Sequence, residues 1–137
     1  MQWRRNLTLG MLGGALYVAA EYLWRGYSHW TMFILGGFCF VAVGSINEII
    51  SWEMPFVLQM GMGAFIITAS EFCTGCIVNL WLGWNIWDYS SFYGNLLGQV
   101  CPLFSLLWFF LSGIIIYIDD WIRWKWYGEE VPIYYFF

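Results

Sequence analysis

Long apolar runs, each closed by a short polar or charged cluster, organise this chain. Residues 6–20, 26–47, 54–70 and 89–118 contain no Asp, Glu, Lys or Arg. None of these runs alternates with a period of two, so they are not barrel strands. An isolated strand in lipid would also leave its backbone groups unpaired. The pattern predicts four helices, at about 7–23, 31–50, 55–80 and 95–118, with 119–137 left as an interfacial tail. Pro55 suits the first turn of the third helix, where its missing N–H would have no partner anyway. Pro102 falls inside the fourth and predicts a kink, because it cannot donate to the carbonyl of Gly98. Gly10 with Gly14, Gly36 with Gly37 and Gly61 with Gly63 supply faces for close helix approach.

Composition turns four helices into an all-α polytopic membrane protein. Of 137 residues, 10% are charged, 61% hydrophobic and 23% aromatic. A soluble domain carries roughly 25% charged residues. This chain cannot build such a surface, which excludes a soluble enzyme and a disordered chain. Five Lys and Arg are too few to track a nucleic-acid backbone. A single transmembrane domain in a lipid bilayer remains. With an even number of spans, Arg4, Arg5, Arg123 and Lys125 share one side, against Arg25 on the other. The positive-inside rule then predicts a multi-pass protein of the cell (inner or plasma) membrane with both termini cytoplasmic. Trp3, Trp121, Trp124, Trp126 and Tyr127 would form the inner aromatic belt. Trp24, Tyr27, Trp30, Trp81, Trp84 and Trp87 would form the outer one. Residues 133–137 are too short to span and read as interfacial. Arg4-Arg5 followed by residues 7–20 also fits a secretory signal, but Gly10, Gly13, Gly14 and Glu21 fit helix packing better.

An internal similarity bears on function. Residues 13–22 read GGALYVAAEY and residues 63–72 read GAFIITASEF, aligning Glu21 with Glu71. Further on, residues 34–40 read ILGGFCF and residues 96–102 read LLGQVCP, aligning Gly36 with Gly98 and Cys39 with Cys101. Two blocks in the same order suggest a duplicated hairpin, with the halves running parallel about an axis along the membrane normal. Glu21 and Glu71 would then face one shared space.

Glu71 stands about 16 residues into the third helix, roughly 24 Å along its axis. A carboxylate at that depth costs at least a few kcal/mol unless paired or wetted, so it must face the bundle interior. It either binds something or, protonated, fixes helix packing. Glu21 with Arg25 one turn later has the order of a favourable ion pair. His29, Asn79, Asp88, Asn95 and Gln99 gather on the same outer side and complete a candidate ligand-binding set with Glu71, Glu21 and Arg25. Glu48, beside Asn47, either neutralises Arg4 and Arg5 or caps a turn to Glu53. Cys73-Thr74-Gly75-Cys76 is a C-x-x-C, the residues of a thiol–quinone oxidoreductase. Its place toward a helix C-terminus, close to Glu71, disfavours the thiolate that such chemistry needs. One His and buried thiols do not make a zinc set, and no cofactor is called for. The loop from Trp81 to Ser91 is rich in Trp and Tyr, and reads as an interfacial turn or as a lid over the acidic side.

Glu71-x-x-x-Gly75, Trp87-Asp88-Tyr89-Ser90, Asn95-Leu96-x-Gly98, Cys101, Phe104-Ser105 and Trp108 resemble the ABC-transporter type IV (CmpB-like) integral membrane proteins. The likeness runs over about residues 65–110. It implies a transport-associated role. That family usually carries a second acidic residue soon after the Gly, where this chain offers only Asn79. The chain has no phosphate-binding G-x-x-x-x-G-K-[ST] loop, so any ATPase would be a separate subunit. The expected function is a small permease-like protein that binds or passes a cation, a proton or a cationic small molecule. Because four helices make a narrow bundle, a homodimer is expected. A thiol–quinone oxidoreductase and a ligand-free accessory or scaffold subunit are the alternatives.

Overall fold

A computed structural model describes residues 2–26, 29–49, 54–132 and 134. Among these residues the fold is all-helical. Helix α1 spans Gln2–Arg25, α2 spans Trp30–Gly44, and a single turn, α3, spans Ile46–Ile49. Helix α4 spans Phe56–Gly75 and continues as a π-helical segment over Cys76–Trp81. A folded loop leads from there to α5, Pro102–Tyr127. Two helical stretches, Phe56–Trp81 and Pro102–Tyr127, are long and apolar enough to cross a membrane. Helix α2 is apolar but shorter.

The helices pack as two antiparallel hairpins, α1 with α2 and α4 with α5. An Arg5–Glu129 ion pair of 2.5 Å joins the start of α1 to the segment after α5, and the ring of Phe56 at the start of α4 packs at a tilt on Tyr134. Both hairpins therefore start at this terminal end and turn at the opposite, loop end. Small residues set the closeness of α1 and α2. A side chain at Gly37 would overlap the backbone of Gly10, and one at Gly36 would overlap Tyr17. In the second hairpin Gly63 makes room for Ser112. Leu16, Ile34, Phe38, Phe65, Phe110 and Ile114 all face outward. Apolar surface on every long helix is what lipid solvates and water does not.

The structure moves several boundaries. The second helix breaks at Ser45, whose N–H bonds Val41, so α2 ends and α3 follows as a separate turn. The fourth helix begins at Pro102 rather than near residue 95. Proline disfavours helical geometry in the residue before it and is itself suited to a first turn, so it starts α5 instead of kinking it. The stretch 119–127 is the last part of α5, not an interfacial tail. That helix stops at Gly128, whose φ of 67° is the left-handed conformation usual after a helix end. The second block of the internal similarity also separates. Residues 34–40 are helical, whereas residues 96–101 are loop. Ile50, Glu53, Tyr27, residues 133 and 135–137, and the side chains of Trp24, Arg25 and Glu48 lie outside what is described.

Candidate functional site

Glu71 projects from α4 into the middle of the bundle and is only 3% exposed. The indole N–H of Trp108, on α5, donates to Oε1 at 3.4 Å, and the Tyr89 hydroxyl, from the loop, donates to Oε2 at 3.4 Å. Carboxylate hydrogen bonds are ordinarily shorter, about 2.7–2.9 Å, so both donors hold the group loosely. From α1, Tyr17 hydrogen-bonds Glu21, and the Glu21 charge reaches Glu71. From α2, buried Cys39 hydrogen-bonds Ser70, the residue before Glu71. Four helices and the loop thus converge on one carboxyl.

The loop is built to deliver Tyr89. Asp88 Oδ1 accepts from the Ser90 backbone N–H at 2.8 Å, an Asx turn that fixes the chain on either side of Tyr89. That bond holds the Asp88 carboxyl below its usual value, although the group is fully exposed. Asn95 ties the far side, donating to the Ser90 and Phe92 carbonyls while its Oδ1 accepts from Gly98 N. Gly98 has a φ of 74°, a conformation that favours glycine, and its carbonyl accepts from the Tyr89 N–H. Tyr89 then stacks on Phe104 at 4.8 Å.

The loop is anchored to the π-helical end of α4 by a buried polar knot. Asn79 donates to Gln99 Oε1 at 2.8 Å and accepts from Ile86 N at 2.7 Å, while Trp87 Nε1 donates to the Gln99 carbonyl. Gly75 is needed beneath it, since a side chain there would meet Gln99 and Trp87. The wider π turn lets Asn79 face inward, and such segments recur at functional sites.

The residues of the Glu71-to-Trp108 block are therefore one packed unit, and comparison with known proteins agrees on its affiliation. A family model described as "Putative ABC-transporter type IV" matches residues 11–129. The chain belongs to this family. No curated protein and no solved structure matches it. Membership of this ABC-transporter type IV family makes it a membrane protein associated with ABC transport.

Of the residues singled out in the sequence, Glu71 lies at the bundle centre within electrostatic range of Glu21, while the side chain of Arg25 lies outside what is described. Asn79, Asn95 and Gln99 build the loop. Asp88 is exposed and shapes the turn. His29 caps α2, its Nδ1 accepting from Thr31 N, and its ring packs against Trp30 and Trp84. Trp87, expected in the outer belt, is buried under the loop because its indole N–H is used there. Cys73 is exposed, Cys76 half-buried, and both are free thiols. Cys73 lines an apolar groove of about 550 Å³ between α2 and α4, together with Ile34, Phe38 and Ser70. Among the described residues no group of His, Cys, Asp and Glu is arranged to hold a metal ion.

Sequence reasoning missed two things. Tyr17 and Trp108 were not marked as partners of the carboxyls, since their contacts cross between helices. The larger omission is a buried cluster at the terminal end. Arg123 Nε donates to Asp119 Oδ2 at 2.6 Å, and Asp120 Oδ2 accepts from Asn47 and Tyr134, each at 2.9 Å. Asp119, Asp120 and Arg123 are all at most 2% exposed. The signal was present: an Asp four residues before an Arg at the end of an apolar run is a helical ion pair.

Proposed function

We propose that this ABC-transporter type IV protein crosses the membrane four times with both termini cytoplasmic, and that Glu71 with Glu21 is a proton-binding site. Glu71 carries this reading, as a carboxyl buried at membrane depth and held by two long hydrogen bonds from neutral aromatic donors. Among the described residues no basic side chain bonds Glu71; such a carboxyl is stable in lipid when protonated, and loose donors allow the proton to leave. Aromatic rings fill the space around it, which favours a proton over a larger cation. Passage of anything wider than a proton would need a second copy of the chain, and a separate ATPase subunit would supply any nucleotide-driven step.

The test is proton flux into reconstituted vesicles. Glu71→Gln, which keeps the shape and removes the titrating group, should abolish the flux. Equal flux in this variant and the unaltered protein would dismiss the role of the carboxyl.

A further inference from the structure

The polar groups between α4 and α5 do not stop at Glu71. Half-buried Thr68, one turn closer to the terminal end on α4, shares a hydrogen bond of 2.9 Å with half-buried Ser105 on α5. Two turns beyond Ser105 on the same helix lies Ser112, and two turns beyond that lies Asp119, so all three fall on one face. Ser112 and Asp119 are both fully buried. Gln59, also fully buried, lies on α4 one turn below Gly63, the residue that packs on Ser112. These groups descend from a half-buried pair near the loop end to fully buried ones near the terminal end.

Their hydrogen bonding is incomplete at corresponding places. Ser112 Oγ, Gln59 Oε1, Asp119 Oδ1 and Asn47 Oδ1 have no hydrogen-bond partner among the described residues. Buried polar atoms are nearly always satisfied by protein or by ordered water, and small polar sites inside proteins hold such waters. Side chains on a helix lean toward its N-terminus. On α4 this tips Glu71 toward the terminal end, and on antiparallel α5 it tips Asp119 toward the loop end, so the two carboxyls lean toward each other.

At the terminal end the charges do not balance. Arg5 is paired with Glu129, and among the described residues Arg123 is the cation bonded to the pair, through Asp119. Two buried carboxylates beside one bonded cation are unfavourable in lipid, a cost that one exchangeable proton on the pair removes.

We propose that Thr68, Ser105, Ser112, Gln59 and intervening waters form a proton path through the bundle, joining Glu71 to the Asp119–Asp120 pair. This rests on the reading of Glu71 as a proton site. In each hop a hydroxyl or water gives up one proton and takes another. The net change is one proton lost by a carboxyl at one end and gained by a carboxylate at the other. Nothing is oxidised or reduced.

The experiment uses the full chain in vesicles containing a pH-sensitive dye, with a potassium gradient and valinomycin to drive proton entry. Glu71→Gln, Ser112→Ala and Ser105→Ala are compared with the unaltered protein. The serine variants each lose one hydroxyl and little volume, and two are used so that the result does not depend on one of them folding. The path predicts no flux for Glu71→Gln and about a tenfold fall for each serine variant, the factor one lost hydrogen bond carries in a barrier. Loss in Glu71→Gln with full flux in both serine variants overturns the path and leaves the Glu71 site standing. No flux in the unaltered protein, or full flux in all variants, overturns both.

Discussion

Glu71 at the loop end and Asp119 at the terminal end are both buried carboxyls on apolar helices, yet they are held in opposite ways. Asp119 grips Arg123 at 2.6 Å one turn along the same helix, whereas Glu71 meets two neutral donors at 3.4 Å, one of them from a loop. The first arrangement neutralises a charge where it sits and fixes α5 against Ser45 of the neighbouring hairpin. The second supports a carboxyl without fixing its charge. A membrane bundle can therefore carry two ionisable groups for different ends, and the partner rather than the depth tells them apart.

Removing one side of the tight pair is the strongest way to break this contrast. Arg123→Ala leaves two buried carboxyls without their cation and should cost about 3–5 kcal/mol, read as loss of unfolding free energy in detergent. A cost near zero would place Asp119 in the same class as Glu71. Next in size is the knot that holds the loop. Asn79→Ala strips partners from Ile86 N and Gln99 and should cost about 1–3 kcal/mol. That loss should show as faster hydrogen exchange over residues 82–101, with the helices unaffected.

Glu71→Gln sharpens the contrast from the other side. The amide keeps an acceptor and adds no charge, so stability should change by no more than about 1 kcal/mol. A loss as large as that of Arg123→Ala would show that Glu71 is a structural carboxylate. The smallest effect belongs to Asp88. Its carboxyl titrates below the usual value because the Ser90 N–H bonds the ionised form. The contribution is fully present above the unfolded value of about 3.9 and is lost as pH falls through the lower folded one. Trp fluorescence of the loop should therefore stay constant down to about pH 4 and change only below it. Asp88→Asn should remove that acid-side change while leaving the terminal-end cluster intact.

How much of this was legible depended on the range of the interaction. The third helix, the glycine contacts of the first hairpin and the placing of Glu71 toward the interior follow from local pattern and from the cost of charge in lipid. The start of α5 did not, because an apolar run continues through Leu96 and Leu97 although Pro102 resets the backbone there. His29 and Asp88 looked chemical in sequence and turned out to be a cap and a turn. Both residue types bond the backbone as readily as a ligand, and only geometry separates those uses. Asn79 was marked as a weak stand-in for a second acid, but its place in the fold is to carry the loop.

By itself, then, the order of residues determined that this chain is helical, that it belongs with lipid, and that its few carboxyls are exceptional. These are one-dimensional properties, set by length, hydropathy and single-residue solvation. Which carboxyl met a cation, which met an aromatic hydroxyl, and that Ser105, Ser112 and Asp119 share an interior face with Thr68 and Gln59 were decided only when the hairpins packed. Contacts between residues far apart in the chain depend on helix rotation and register, and those are set by the sum of many small packing terms rather than by any one stretch of sequence.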